Sequence, residues 1–311
     1  MQESSNLKRL RFKFQLSFDQ AFPYLMVAPT IAVIGTLIIY PIITGIRLSF
    51  YEYTLVMPVK PYIGFRNYLN LLSDLRFLFI LGNTVLFAVL SVAISTVIGL
   101  LVALFLNRSS RLIGIYRSIG FLPWITPMIV IAYVWVWMFS KSFSPLNTVL
   151  MKIRIIDEPV AFLGALNIKF LGLSLPFWSV LTVRVWFSFP FKTIMFLAGL
   201  QSIPQTIYDA ARVDGANKLQ QFRHITLPSL MPVVFVVVTL STIWNLSHFP
   251  TNYLMTSGGP QDSTNVIPIF IYNRAFIHYK MGLASAAGVI ILILAGVIGY
   301  IYMKYTSRGE E

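Results

Sequence analysis

The sequence predicts an all-α membrane protein, a polytopic helical bundle of about six transmembrane helices. Three observations carry this reading. Long apolar stretches, free or nearly free of charge, recur six times along 311 residues. Charged residues make up only 11% of the chain, where a soluble domain carries about 25%. Basic residues also gather at alternate ends of the apolar stretches, the pattern that orients helices across a bilayer. The mean hydropathy of +0.74 fits apolar surface that faces lipid rather than water.

Crossing about 30 Å of hydrocarbon takes roughly 20 apolar residues in a helix. Asp19 and Arg47 bracket the first stretch, Arg76 and Arg108 the second, and Arg117 and Lys141 the third. The fourth runs from Leu175 to Leu200 and is interrupted by Arg184 and Lys192. The fifth lies between Arg223 and Asp262, beginning near Pro228, and the sixth between Lys280 and Lys304. No internal repeat or low-complexity tract divides the chain, so residues 1–311 read as one transmembrane domain. Pro29 and Pro41 in the first stretch, Pro123 and Pro127 in the third and Pro190 in the fourth predict kinks.

Residues 1–20 form a basic lead-in. Leu7, Leu10, Phe14 and Phe18 share a helical face, although Leu10, Phe12, Phe14, Leu16 and Phe18 also alternate as in a strand. An amphipathic helix lying in the interface is expected there, because a lone strand would leave its backbone unpaired. The apolar run that follows is too long for a signal-peptide core and no small-residue cleavage site closes it. It reads as a retained first span.

The formal net charge is +13. Nucleic acid, an acidic solute, or the flanks of membrane helices would each account for it; scattered basic residues without a dense patch argue against nucleic acid. Lys8, Arg9, Arg11 and Lys13, then Arg108, Arg111 and Arg117, then Arg212, Lys218 and Arg223, and finally Lys304 and Arg308 all fall on one side. That side is expected to be cytoplasmic, with both termini there. There are no cysteines, which excludes disulfides and thiolate-held metals. His224, His248 and His278 are far apart and lack metal-ligand spacing.

The informative polar segment is Ser202 to Pro228, within a loop spanning residues 201–227. Ser202 with Gln205 has capping-box spacing, with Pro204 in the first turn, so a short helix is expected to start here. Ile203, Ile207, Ala210 and Ala211 share its face. Gly215 is placed to end it in a left-handed turn. Ala216, Leu219 and Phe222 begin a second face, and Pro228 opens the next span. The expectation is a helix–turn–helix at the membrane surface. Its small Ala210 and Ala211 would admit a close partner, and Asp209 and Asp214 would supply anionic contacts for Arg or Lys.

The residue order Asp209-Ala210-Ala211, Asp214-Gly215-Ala216, Phe222, Ile225, Leu227-Pro228 resembles the EAA loop of permeases in binding-protein-dependent ABC importers. Asp209 stands where the family usually has Glu, one methylene longer. Gly64-Phe65-Arg66-Asn67-Tyr68, Asn83-Thr84, Leu122-Pro123, Pro190-Phe191, the run from Ala198 to Pro204, Trp244-Asn245 and the run from Thr256 to Pro260 are similar to landmarks of maltose-type carbohydrate permeases. The resemblance implies a type I ABC importer permease fold, a place in a prokaryotic inner membrane and a heterodimer of two permeases. It implies two ATPase partners, an extracytoplasmic solute-binding protein, and a coupling role for Asp209, Ala210, Ala211, Asp214, Gly215 and Ala216. The chain has no P-loop sequence, so no catalysis and no cofactor are expected in it, with ATP and Mg held by the ATPase subunits.

Charges inside a span cost about 2.5–3.5 kcal/mol each on insertion scales. Arg184 and Lys192 therefore need a partner, a wet cavity or an anionic solute; a bond to a sister permease or snorkelling would also serve. Trp244, Asn245 and His248 lie within about one turn of the fifth stretch. A ring with amide and imidazole suits a sugar, as would Trp124, Tyr133, Trp135 and Trp137 of the third, although Trp and Tyr also belong to interfacial belts. The functional expectation is sugar or oligosaccharide import. The same role for an anionic solute, such as glycerol phosphate or an acidic oligosaccharide, is the alternative. A secondary transporter or channel is a third reading, which the lack of an inverted repeat disfavours.

Overall fold

The computed structural model describes residues 18–56, 59–108 and 113–306. Residues 1–17, which hold most of the expected interfacial helix, lie outside the described residues, as do Arg111 and Arg308.

The first span is α1 (Phe18–Ile34), a π-helical segment Gly35–Ile39 and α2 (Tyr40–Leu48) in succession. The wide π turn sits just before Pro41, which has no N–H to return to the preceding turn. A short amphipathic helix, α3 (Arg66–Ser73), leads into the second span, α4 (Leu75–Leu106). Asp74 caps α4 by accepting the Arg76 N–H at 2.9 Å.

The third stretch is not one straight crossing. It consists of α5 (Ile113–Ile125) and α6 (Met128–Met138), bent by 95° against each other. The break falls at Thr126 and Pro127. Pro127 is extended, with ψ 133°, and cannot donate to the carbonyl of Pro123 four residues earlier. After α7 (Pro145–Lys152), a two-residue hairpin of β1 (Lys169–Phe170) and β2 (Leu173–Ser174) closes through Leu171 (φ 50°) and Gly172 (φ 78°), the left-handed pair such tight turns require. It is a small departure from an all-helical chain.

The fourth span, α8 (Leu175–Gln201), runs unbroken through Pro190. The polar loop holds α9 (Gln205–Val213) and α10 (Lys218–Gln221), which continues through a π segment, Phe222–Thr226, into α11 (Leu227–Leu246). The fifth crossing therefore ends at Leu246, well short of Asp262, because Pro250 bars further helix and opens α12 (Pro250–Thr256) instead. Then come α13 (Ile267–Tyr272), a third π segment Asn273–Ile277, and the last span α14 (Met281–Thr306). Among the described residues, five helices are long and apolar enough to cross a membrane, and the bent pair makes a sixth.

The pair α4–α8 is the spine of the bundle. Ser91, Ser95, Gly99 and Ala103 recur every fourth residue on one face of α4 and are all buried, the small-residue stripe that lets membrane helices close up. A Cβ on Gly99 would stand 2.8 Å from Cβ of Lys192 and 3.2 Å from the Phe189 carbonyl oxygen. At the end opposite the polar loop, two clamps fix the connections. Asn67 donates to the carbonyls of Ser49 at 2.8 Å and Tyr51 at 3.0 Å. Arg76 pairs with Asp262 at 2.6 Å, and Asn83 donates to the Asp262 carbonyl at 3.1 Å.

Candidate coupling loop and intramembrane site

The polar loop is the helix–turn–helix its residues imply, closed by more backbone chemistry than the pattern alone reveals. The Ala216 N–H reaches the Ala211 carbonyl at 2.9 Å and the Gly215 N–H the Arg212 carbonyl at 3.1 Å. These two bonds form the paired C-terminal closure that needs a left-handed residue, and Gly215 supplies it with φ +79°. Nothing lies within 4 Å of where a Cβ on Gly215 would point, so glycine is required here by backbone conformation and not by space.

The start of α9 differs from expectation. Ser202 stays at the end of α8 and its hydroxyl donates to the Gly199 carbonyl at 2.9 Å, so no capping box forms with Gln205; Pro204 occupies the N-cap position without a side-chain bond. The capping box stands at α10. There the Asn217 side chain accepts the Leu219 and Gln220 N–H groups at 3.1 and 3.0 Å, and Gln220 accepts the Asn217 N–H at 2.8 Å. The sequence carried that signal in Asn217 and Gln220.

Asp209 is exposed and pairs with Arg212 one turn on, at 2.6 Å. Such a surface pair contributes about 0–1 kcal/mol, so it leaves the carboxylate able to exchange partners. Ala210 is exposed. Ala211, Asp214, Gly215 and Ala216 line a hollow of about 360 Å³ in the elbow between α9 and α10, with His224 across it. A protruding side chain of a partner would fit there.

Inside the bundle, Arg184 of α8 is only 6% exposed. Its Nε donates to the Asn245 side-chain oxygen at 2.9 Å, and the Asn245 amide donates to the Ser241 carbonyl at 2.7 Å. Two turns on, Lys192 is buried against α4. Its ammonium donates to the Val92 carbonyl at 3.1 Å and to the Ser95 hydroxyl. Among the described residues neither cation has a carboxylate partner; neutral groups meet the charge of each, with the Phe187 ring 5.7 Å from the Arg184 guanidinium adding to the Asn245 oxygen. Ser95 belongs to the small-residue stripe of α4, a repeat legible in the sequence that points to the seat of Lys192.

The three residues expected to cluster on α11 part company. Successive helical residues project about 100° apart. Asn245 turns inward to Arg184, while Trp244 stays half exposed and meets the ring of Phe191 at 5.4 Å, which in turn meets Trp124 at 6.0 Å. His248 lies past the end of α11 and bonds the Thr251 hydroxyl at 2.8 Å. Arg184 and Asn245 thus converge directly, while Trp244, Phe191 and Trp124 form a separate row of rings. Of the other aromatics, Trp135 packs on Phe139 and Trp186, whereas Tyr133 and Trp137 remain exposed.

A family model described as "Binding-protein-dependent transport system inner membrane component" matches residues 95–310. The trehalose/maltose transport system permease protein MalF of Thermococcus litoralis is 34% identical over 90% of this chain and 92% of its own length. The sulfoquinovosyl glycerol transport system permease protein SmoG of Agrobacterium fabrum is 30% identical over 92% and 90%. In fold, the chain is similar to a solved chain of a bacterial ABC transporter involved in the import of the acidic polysaccharide alginate, with a TM-score of 0.81 at 24% identity over 94% of this chain and 97% of that one. A bundle of this topology, a match over more than half its residues and relatives aligned nearly end to end place the chain among the inner-membrane permeases of binding-protein-dependent transport systems.

Proposed function

We propose that this chain is one of the two permease subunits of an ATP-driven importer and forms half of the pathway for a sugar or oligosaccharide. The observation that carries the coupling reading is the elbow at Gly215: an exposed short helix locked by a left-handed glycine, with Ala211 and Asp214 lining a hollow beside it. A rigid, protruding element of this kind transmits motion between a membrane bundle and a partner. In this reading residues 201–227 face the cytoplasm, both termini lie there, and residues 1–311 act as a single membrane domain. Two ATPase subunits bind ATP and Mg. A solute-binding protein delivers cargo from outside, and a second permease covers apolar surface this chain leaves bare. The sugar class is supported by the relative named for trehalose/maltose and by the row of rings formed by Trp124, Phe191 and Trp244.

The test is made on the complex in vesicles. Gly215→Val forces a branched side chain into a left-handed backbone, a strain of about 1–3 kcal/mol, and Ala211→Trp fills the elbow. Both should abolish stimulation of ATP hydrolysis by the binding protein, or release the ATPase, while solute binding to the isolated binding protein stays normal. Intact stimulation and assembly in both variants would rule out the coupling role.

A second reading of the cargo, an anionic sugar, is favoured by one observation: among the described residues Arg184 has no carboxylate partner and bonds only the neutral amide of Asn245. A 30% identical relative is named for sulfoquinovosyl glycerol. Arg184→Gln should then depress uptake of an acidic oligosaccharide far more than that of a neutral one; equal effects on both would remove this reading.

A further inference from the structure

Behind the elbow, on its membrane side, lies a second and larger cavity of about 820 Å³ between the end of α4 and the polar loop. Arg108, Arg212 and Lys218 contribute to its wall together with Tyr208, whose hydroxyl bonds that of Thr226 at 2.9 Å, and among the described residues no aspartate or glutamate lines it. Arg212 already holds Asp209 at 2.6 Å. Arg108 and Lys218 have no ion pair among the described residues. Leu104 and Leu200 form an apolar part of the lining and belong to the two central spans, α4 and α8.

Basic residues flanking membrane helices are commonplace, and orientation alone accounts for their sign. It does not account for three of them, from three separate segments, meeting around one cavity where, among the described residues, only Arg212 has a carboxylate partner, Asp209. Like charges gathered in this way repel unless an anion sits among them. A basic recess at the end of membrane helices, with apolar side chains leading into it, matches a phospholipid: the phosphate among the cations and the acyl chains along the spans. We propose that this cavity binds the phosphate of an anionic lipid headgroup and so anchors the polar loop to the membrane surface. A soluble phosphate would meet the same cations but gain nothing from the apolar floor. The site adjoins the elbow hollow lined by Asp214 and Gly215, sharing Ala216 and Gln221 with it, and the proposal rests on the membrane assignment rather than on the coupling role.

The test uses the whole complex in phosphatidylcholine nanodiscs with and without phosphatidylglycerol, read by lipid retention in native mass spectrometry and by titration. Arg108→Gln and Lys218→Gln should each weaken phosphatidylglycerol binding about fivefold. Lys218→Arg should restore it, and Lys152→Gln at the opposite end of the bundle should change nothing. Millimolar inorganic phosphate should fail to displace the lipid. Equal retention by every variant would overturn the site, and binding of inorganic phosphate with no lipid preference would overturn the lipid. If Arg108→Gln and Lys218→Gln instead shed the ATPase while lipid affinity stays unchanged, the cavity serves a protein partner and the proposal falls.

Discussion

The first span and α8 are both long helices that qualify as membrane crossings, yet they live in opposite surroundings. None of the best apolar window of Phe22–Leu48 is buried, whereas 56% of that of Leu175–Gln201 is. The buried helix has the lowest mean hydropathy of the five crossings. In water that ordering would be perverse. In a bilayer it follows directly, because lipid tails are as apolar as leucine and burial brings an apolar side chain no gain in transfer energy. Polar groups have no outlet except the protein interior, so Arg184 and Lys192 mark α8 as the central helix. Small residues on α4 then set how closely its neighbour approaches.

The largest effect should come from breaking the polar contact that distinguishes α8. Asn245→Leu leaves the Arg184 guanidinium buried without its acceptor, and losing a buried hydrogen bond to a charged group costs about 1.5–3 kcal/mol. Replacing Arg184 and Asn245 together with leucine should recover much of that loss, since no stranded charge remains. On the first span, Leu37 is 70% exposed, and Leu37→Ala should stay within about 0.5 kcal/mol. Thermal unfolding of the purified complex in detergent measures all three. A loss at Leu37 as large as that at Asn245 would mean that the first span is buried in the assembly, and the contrast between the two helices would be one of this chain alone.

Glycine substitutions sharpen the same contrast with one chemical change. Gly99→Val drives a branched side chain into the Cβ of Lys192 and the Phe189 backbone, which an ideal Cβ would already approach to 2.8 and 3.2 Å. Overpacking of this kind costs about 1–3 kcal/mol and should lower both the thermal midpoint and the yield of complex. Gly35→Val places the same side chain where nothing lies within 4 Å. It should be neutral or slightly stabilising, because glycine in a helix is itself unfavourable by about 0.5–1 kcal/mol.

The spans and the loop were legible for different reasons. Apolar runs between charges are a one-dimensional signal, and helix length follows from bilayer thickness. The loop was legible because Gly215 carries a backbone requirement that survives any tertiary context. What failed to show depends on packing. Pro127 and Pro190 look alike in sequence, but α8 is held on several sides and runs on through Pro190, while Pro127 follows Pro123 by four residues and the helix breaks. The spacing of Ser202 and Gln205 promised a cap that the end of α8 pre-empted. Adjacent residues Trp244 and Asn245 looked like one cluster, and helical geometry sends them to different neighbours. Two signals were present but unread: the capping box of Asn217 and Gln220, and the repeat of Ser91, Ser95, Gly99 and Ala103, which names the surface that receives Lys192.

The smallest effect separates the two clamps at the far end of the bundle, one neutral and one charged. The neutral clamp joins Asn67 to the backbone that follows the first span. The charged clamp holds the connection after α12 onto the start of α4 through Asp262, which faces Arg76, Asn265 and Arg274. Partial burial works against ionisation of Asp262, but the hydrogen bonds from Arg76 and Asn265 and the charges of Arg76 and Arg274 outweigh it and hold its carboxyl below the ordinary value. A carboxyl depressed on folding adds stability that is fully present above its unfolded pKa, about 3.9, and is lost as pH falls through the lower folded value. The pair is partly exposed, so solvent screening keeps the contribution small. Hydrogen exchange of residues 257–266 should therefore accelerate, beyond the intrinsic pH effect, as the sample is taken below the ordinary carboxylate range, while residues 49–53 under the Asn67 clamp keep their protection. Asp262→Asn should show the loosened loop already at neutral pH and no further acid response. Parallel loss of protection in both segments would mean that acid unfolds the outer end as a whole, and the distinction between a charged and a neutral clamp would not hold.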